Sequence, residues 1–197
     1  LWDQGGITAV KVHPETGAVF IGYHSGSWIY QYDGTNFIPK FQLPDAAGAA
    51  ASKGNINTIA FDKQGTTAYI VSRKNHVIYK ASYDMATGEF NDVKLLAGSF
   101  GVTGYADGTG TSAKFNEPSQ GDVDEDGNFY VADRGNHCIR VITPDGEVST
   151  YAGQNKAGMV DGIASLAEFN NPEGCQFGPD GALYVADYSN HAIRKVE

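Results

Sequence analysis

Short stretches in which apolar and polar residues alternate recur along the whole chain, and glycine-containing turns bound them. The clearest are residues 128–133 and 182–187, which share the run Tyr-Val-Ala-Asp, and weaker versions lie at 18–23 and 67–72. This alternation predicts β-strands, and the turns Glu-Asp-Gly and Pro-Asp-Gly predict tight hairpins. Because helical periodicity never persists, we expect an all-β protein with no helix longer than about two turns.

Two long segments of the chain repeat one another. Residues 128–142 read NFYVADRGNHCIRVI and residues 182–196 read ALYVADYSNHAIRKV, so Asp133 is equivalent to Asp187 at an offset of 54. Two fainter copies precede them. Each copy predicts four short strands, a to d, and a sheet of this size buries its faces only by stacking against further copies around an axis. The pattern therefore predicts a β-propeller of four-stranded blades.

The order of motifs within one copy resembles the NHL repeat: Asp-Gly-Asn, then Tyr-Val-Ala-Asp, then Asn-His, then Ile-Arg and Ala-Gly. The resemblance is to bacterial extracytoplasmic NHL-repeat proteins, including those associated with immunoglobulin-like IPT/TIG domains. It implies a single propeller domain over residues 1–197 with about four repeats, at approximately 7–40, 56–98, 117–153 and 171–197. Such propellers usually close with six blades. A ring closed by this chain alone would need an extra strand d, for which residues 1–3 are a short candidate. We expect instead that further blades lie before Leu1.

Composition and charge narrow the class of protein. The chain has 197 residues, of which 41% are hydrophobic and 19% charged, as in an ordinary globular domain with a core. Its formal net charge of −9 repels phosphate backbones, so we expect no nucleic-acid partner. No stretch approaches the roughly 18 apolar residues that a membrane helix needs, so we expect a chain that does not span a membrane.

The cysteines and the repeated Asn-His pairs are expected to be structural. Cys138 and Cys175 form no C-x-x-C pair, and we expect two buried free thiols. His76, His137 and His191 recur at one place in successive copies. A residue needed in every copy more often stabilises a turn than joins its equivalents around one metal ion, since zinc requires three or four converging ligands.

Charged residues on strands b and c also repeat. Asp133 and Asp187 end strand b, where a carboxylate is well placed to accept backbone N–H groups of the following turn. Arg140 and Arg194 lie on strand c, and we expect them to form pairs between blades. These four residues are therefore interpreted as structural.

Two long glycine-rich connections, residues 98–118 and 153–174, lead into inner strands. In an NHL-like propeller such connections gather around the central channel, where ligands bind, and long loops are uncommon unless functional. Their rings offer flat apolar surface, and Asn and Glu offer hydrogen bonds. Glu173 departs from the repeat and resembles the glutamate metal ligand of gluconolactonase-like propellers, although we expect no metal. The predicted ligand-binding residues are Tyr105, Phe115, Asn116, Asn170 and Glu173.

The resemblance implies a non-catalytic propeller that binds a small molecule or glycan, such as a carbohydrate nutrient, in the periplasm or at the cell surface of a bacterium. We predict no catalytic residue and no cofactor, since the sequence has no nucleophile elbow, H-E-x-x-H or P-loop. Two alternatives stay open: a metal-dependent hydrolase, lactonase or lyase that uses the central channel, and a protein–protein interaction scaffold. A metal in the channel favours the enzyme, and a large exposed apolar patch favours the scaffold.

Overall fold

The computed structural model describes residues 6–45 and 54–196, and these form four antiparallel sheets arranged as consecutive blades of a β-propeller. The first blade contains β1 (Ile7–Val12), β2 (Val19–Tyr23), β3 (Trp28–Tyr32) and β4 (Phe37–Gln42). The second contains β5 (Ile56–Phe61), β6 (Thr67–Ser72), β7 (Val77–Asp84) and β8 (Glu89–Ala97). The third contains β9 (Gly108–Thr109), β10 (Pro118–Val123), β11 (Phe129–Asp133), β12 (Cys138–Ile142) and β13 (Glu147–Ala152). The fourth contains β14 (Pro172–Phe177), β15 (Leu183–Asp187) and β16 (Ala192–Val196).

The predicted all-β propeller fold is confirmed. The second strands of the four blades, β2, β6, β11 and β15, coincide with the four predicted segments to within one residue. The helical segments among the described residues are 3-10 turns of three residues each. The proposed closing strand at residues 1–3 lies outside the described residues.

Aromatic rings fill the spaces between adjacent blades. Offset and edge-on ring pairs of this kind add about 0.5–1.5 kcal/mol beyond the area that they bury. Their centroids lie 5.7, 5.2 and 5.0 Å apart at the first, second and third interfaces, in the pairs Phe20–Phe61, Tyr69–Phe129 and Tyr130–Phe177. The core is therefore a series of layers between sheets, as expected when one sheet cannot bury both faces alone.

One turn geometry joins the second and third strands of the last three blades. In each, a 3-10 turn is followed by a histidine in the left-handed region, with φ of 57°, 55° and 50° at His76, His137 and His191. This conformation costs a residue with a side chain roughly 1–2 kcal/mol. Its recurrence means that bonds from the rest of the blade hold the turn in place.

The long connection 98–117 runs away from the channel rather than along it. Its short strand β9 pairs with Glu147 and Val148 of β13, so the third sheet has the order β10-β11-β12-β13-β9. β9 therefore lies at the edge of the sheet opposite to the inner strand β10. The expectation that this connection gathers at the channel is wrong for its central part, and its C-terminal end alone leads into β10.

Both cysteines are free and buried, as the sequence predicted. The Cys175 thiol points at the backbone carbonyl of Tyr130, 3.5 Å away. Burial raises the pKa of both thiols well above the ordinary range, because the thiolate would lose its hydration. Cys138 and Cys175 are therefore protonated at neutral pH and serve as small apolar residues of the core.

Candidate functional site

A polar channel runs among the inner strands of the four blades. Strands β1, β5, β10 and β14 surround a cavity of about 220 Å³. Hydroxyl, amide and charged side chains predominate in its wall, in contrast with the apolar layers between the blades. They come from Thr8, Lys11, Asn57, Thr58, Gln120, Asp122 and Gln176. We call the end of the channel at which β5, β10 and β14 begin the channel mouth.

Glu173, near the start of β14, is the centre of a charged cluster at the channel mouth. Its Oε1 accepts hydrogen bonds from Arg73 Nη1 at 2.8 Å and from Ser119 Oγ at 2.8 Å. Its Oε2 lies 2.9 Å from Arg134 Nε. About a third of the Glu173 side chain is exposed, at 32%, so the carboxylate is held firmly but still faces solvent.

A second carboxylate completes this cluster. Glu117 Oε2 lies 3.1 Å from Arg134 Nη1 and 3.4 Å from Arg73 Nη2. Two guanidinium groups and two carboxylates thus balance in charge. Arg73 belongs to the second blade, Arg134 and Glu117 to the third, and Glu173 to the fourth, so the cluster joins three blades. We call these four residues the mouth cluster.

The positive charges of the mouth cluster disfavour a metal ion at Glu173. Both of its carboxylate oxygens already face guanidinium groups, and a metal ion bound there would have to displace or be repelled by two positive charges. In the part of the chain that the structure describes, no group of three or more His, Cys, Asp or Glu side chains is placed to hold a metal ion. The charge arrangement therefore favours a ligand with hydrogen-bonding groups over a cation.

The two predicted aromatic residues lie away from the mouth cluster. Tyr105 is 42% exposed, and its hydroxyl lies 3.0 Å from Thr150 Oγ1 on the outer strand β13. Phe115 is fully buried in the layer between the second and third blades. Both rings pack against the Arg140 guanidinium, at 5.2 and 5.3 Å. The expectation of an exposed ring is therefore wrong for Phe115, and the structure does not bring Tyr105 to Glu173.

Asn116 and Asn170 stabilise turns through their backbone groups. The Asn116 carbonyl accepts the backbone N–H of Gly135 at 2.8 Å, and its own N–H donates to Asp133. Asn170 repeats this arrangement one blade later, with the N–H of Ser189 at 3.0 Å. These bonds place both asparagines next to the turns at the channel mouth.

Asp133 and Arg140 form a buried ion pair within one blade. Arg140 Nη1 lies 3.0 Å from Asp133 Oδ2, and both side chains are fully buried. The sequence predicted a backbone hydrogen bond to Asp133 from the following turn, but the backbone N–H that it accepts is that of Asn116. The expected pairing of Arg140 between blades is likewise wrong, since its partners are Asp133 and the loop residue Asp107. Burial raises the pKa of Asp133 to about 6, against the opposing effect of these hydrogen bonds.

The same pair recurs in the fourth blade. Arg194 Nη1 lies 3.1 Å from Asp187 Oδ2, and Asn190 Nδ2 donates to the same oxygen at 2.8 Å. Asn170 N–H donates to Asp187 Oδ1. Repetition in two blades indicates that the Asp-Asn-Arg set stabilises the blade and is not a site of chemistry.

The repeated histidines link successive blades. Nδ1 of His76 accepts the backbone N–H of Glu117 at 3.0 Å, and Nδ1 of His137 accepts that of Asn171 at 3.1 Å. Burial is the main cause that lowers the pKa of both imidazoles, which keeps Nδ1 unprotonated and able to accept. The predicted structural role is confirmed for these two histidines. Each binds the residue immediately before the next inner strand, β10 or β14, beside the channel mouth.

Comparison with known proteins agrees with this architecture. The model of the NHL repeat matches residues 115–142, from Phe115 to the end of β12. Residues 115–142 are therefore an NHL repeat. Over 105 residues the chain is 33% identical to NHL repeat-containing protein 2 of Bos taurus, covering 53% of this chain and 14% of that protein.

Two solved structures extend the likeness to nearly the whole chain. They are auxiliary nutrient binding proteins of Bacteroides thetaiotaomicron and Bacteroides ovatus, 30% and 29% identical, with TM-scores of 0.86 and 0.85. Each match covers 98% of this chain and 48% of the solved chain. The chain therefore spans about half the length of these proteins.

Sequence reasoning missed the two arginines of the mouth cluster. Arg73 and Arg134 are the first residues of the 3-10 turns that follow β6 and β11. The Asn-His pair repeats in the last three blades, whereas the position two residues before its asparagine varies from blade to blade. Aligning the repeats shows the signal: this position holds His24, Arg73, Arg134 and Tyr188 in successive blades.

Proposed function

We propose that this NHL-repeat protein binds a small polar nutrient, such as a carbohydrate, at the channel mouth without catalysis. The observation that supports this proposal is the mouth cluster, a charge-balanced set of donors and acceptors that faces solvent above a polar channel. The likeness to two auxiliary nutrient binding proteins over 98% of the chain supports the same class of function.

The chemistry of the cluster suits hydroxyl groups. A carboxylate only accepts hydrogen bonds and a guanidinium only donates them, whereas a sugar hydroxyl does both. Glu173 and Arg134 lie side by side, so that the carboxylate can accept a hydrogen bond from one hydroxyl while the guanidinium donates one to a neighbouring hydroxyl. Charge-assisted hydrogen bonds of this type are roughly twice as strong as neutral ones. Of the five predicted residues, Glu173 is thus central to the proposal.

We also propose that the protein works outside the cytoplasm of a bacterium. The support is again its likeness to nutrient binding proteins of Bacteroides. Among the described residues, no helix has the length and apolar character needed to cross a membrane. A small-molecule or glycan ligand is the partner that this proposal requires.

We further propose that the four blades belong to a six-bladed propeller. Ile193 of β16 is 71% exposed, whereas its repeat equivalent Ile139 is fully buried between the third and fourth blades. Val10 of β1 is 63% exposed, whereas its equivalent Ile59 is 4% exposed. In a longer form of the protein, β16 and β1 should exchange amide hydrogens more slowly than in this chain. Equal exchange rates would contradict the proposal.

The binding proposal is tested by screening the protein on a glycan array and by thermal shift, followed by titration calorimetry of the best ligand. Glu173→Gln keeps the shape but removes the charge, and we expect it to weaken binding about tenfold, or about 1.4 kcal/mol. Glu147→Gln, on the outer strand β13, is the matched control. Tyr105→Ala tests the aromatic contact that the sequence predicted; because Tyr105 lies beside the outer strand β13, we expect this variant to bind like the wild type.

Three outcomes contradict the proposed site or its function. A ligand that binds Glu173→Gln within about twofold of the wild-type affinity does not use the mouth cluster. A metal ion that binds the wild type and is lost in Glu173→Gln would favour the hydrolase, lactonase or lyase alternative. Loss of binding in Glu147→Gln would place the site on the outer strands.

A further inference from the structure

Glu117 has a backbone conformation that suits other residues better than glutamate. Its φ is 51°, in the left-handed region, and the residues at the same place in the second and fourth blades, Asn55 and Asn171, have φ of 47° and 51°. Asparagine adopts this conformation more readily than most residues do, because its short amide forms local hydrogen bonds. Asparagine would therefore strain the backbone less at position 117, and the fold alone does not account for a carboxylate there.

A contact from the second blade holds Glu117 in this conformation. The backbone N–H of Glu117 donates to His76 Nδ1 at 3.0 Å, and the next residue, Pro118, begins β10. A residue persists in a sparsely populated backbone region only where its surroundings fix it, and such residues cluster at ligand-binding sites. The strained backbone therefore holds a carboxylate in a fixed place at the channel mouth.

The two carboxylates of the mouth cluster differ in how many of their oxygens the protein uses. Glu173 Oε1 accepts hydrogen bonds from Arg73 and Ser119. Its Oε2 faces Arg134 Nε. Glu117 meets both arginines through Oε2 alone, and among the described residues no hydrogen bond or ion pair reaches its Oε1. Because each carboxylate oxygen accepts about two hydrogen bonds, Glu117 Oε1 is the acceptor that the protein leaves open to a ligand.

The exposure of Glu117 is not that of an open propeller edge. Glu117 belongs to the third blade, whose inner strand β10 contacts β5 of the second blade and β14 of the fourth. Its side chain is 43% exposed, against 19% and 25% for Arg73 and Arg134. A molecule at the channel mouth therefore has more access to this carboxylate than to the two guanidinium groups.

We propose that Glu117 determines the specificity of the site, and that its Oε1 accepts a hydrogen bond from a hydroxyl of a neutral sugar. This inference rests on the proposed function and adds the residue that contacts the ligand and the chemical group that it selects. In this arrangement Ser119, Arg73 and Arg134 hold Glu173, whereas Glu117 presents a free oxygen.

The preference for a neutral hydroxyl follows from the chemistry of the carboxylate. An ionised carboxylate accepts hydrogen bonds but cannot donate them, so the ligand must present a donor to Glu117 Oε1. An anionic group there would be repelled by Glu117 and by the net charge of −9 on the chain. A cationic group would be repelled by Arg73 and Arg134, which lie within 3.4 Å of the other oxygen of Glu117.

The experiment titrates neutral oligosaccharides of glucose, galactose and xylose, and deoxy derivatives of the best of them, into the full chain and its variants. Calorimetry should show Glu117→Gln weakening the best ligand at least tenfold. For the deoxy derivative that lacks the contacting hydroxyl, wild type and Glu117→Gln should bind equally, as in a double-mutant cycle. Glu125→Gln is the matched control and should bind within twofold of the wild type, because Glu125 also pairs with a cation but follows the other end of β10.

Thermal unfolding tests the strain without any ligand. Glu117→Asn and Glu117→Gln both replace the carboxylate with an amide, but asparagine suits the left-handed backbone better. Glu117→Asn should therefore melt about 2–4 °C above Glu117→Gln. The same melting curves verify that every variant is folded. An equal or lower melting temperature for Glu117→Asn would overturn the argument that the backbone is strained to place a carboxylate here.

The binding outcomes separate this inference from the proposed function. If Glu173→Gln weakens the ligand tenfold while Glu117→Gln binds like the wild type, the proposed site stands and the role of Glu117 is wrong. The role is also wrong if Glu117→Gln weakens every deoxy derivative as much as the parent sugar, since Glu117 would then act only by holding the arginines. If no oligosaccharide of the panel binds the wild type, the inference and the proposed carbohydrate function both fail.

Discussion

The buried ion pair between Asp133 and Arg140 allows a sharp test of what stabilises a blade. Replacing Arg140 with Met keeps an apolar stem and removes the guanidinium. Four acceptors then lose a donor: the Asp133 and Asp107 carboxylates and the carbonyls of Ala106 and Lys114, at distances of 2.5 to 3.1 Å. Asp133 keeps hydrogen bonds from the Asn116 N–H and from Asn136 Nδ2 but loses its guanidinium partner.

The size of the effect follows from burial. Removing one partner of a fully buried pair leaves an uncompensated charge and typically costs about 3–5 kcal/mol. For a chain of this length, each kcal/mol shifts the melting temperature by roughly 2–4 °C, so Arg140→Met should melt roughly 6–20 °C lower. Arg194→Met is the matched control, since Arg194 makes the same set of bonds. Arg194 is 10% exposed and its partner Asp161 90% exposed, so we expect a smaller loss, about 1–3 kcal/mol.

The loss should also depend on pH. Without Arg140, the pKa of Asp133 in the folded state rises further above its value in the unfolded chain. A raised carboxyl pKa makes folding most favourable at low pH, and that advantage is lost as the pH rises through the folded pKa. The deficit of Arg140→Met relative to wild type should therefore be larger at about pH 8 than at about pH 5.

Urea unfolding followed by intrinsic fluorescence at both pH values measures these differences. The reasoning fails if Arg140→Met loses less than about 1 kcal/mol, since an isolated buried carboxylate could not then be present. It also fails if Arg140→Met and Arg194→Met lose equal stability at both pH values. In that case exposure would not set the strength of the pair.

Two further predictions concern the core and the ends of the outer strands. Cys138 and Cys175 should not react with Ellman's reagent in the folded protein, and both should react in urea, because burial keeps the thiols protonated and shielded. Fast labelling of the native chain would contradict this. Gly98→Ala should cost about 1–3 kcal/mol more in thermal unfolding than Gly101→Ala. Both glycines have positive φ, but a Cβ at Gly98 would lie 2.4 Å from the His76 carbonyl oxygen, whereas one at Gly101 meets open space. Equal losses of stability in the two variants would contradict this prediction, because they would mean that the backbone near His76 shifts to accommodate the new Cβ without loss of free energy.

The features that could be read from the sequence are those decided by local pattern. The second strands at residues 67–72 and 128–133 followed from alternation bounded by glycine turns, and the structure contains them as predicted. The two free thiols followed from the lack of a C-x-x-C pair. The structural role of His137 followed from repetition, since a residue present in every blade contributes to every blade.

The tertiary structure decided where the loops run and which charges meet. Alternation cannot show that β9 returns to pair with β13, because strand pairing depends on contacts distant in sequence. For the same reason, Phe115 was expected at the channel mouth and is buried between blades. Glu173 meets Arg73, 100 positions away, only because the turns and inner strands of different blades converge at the channel mouth. The repeat determines the blade by itself, but the site depends on the closing of blades around the channel, which no single repeat contains.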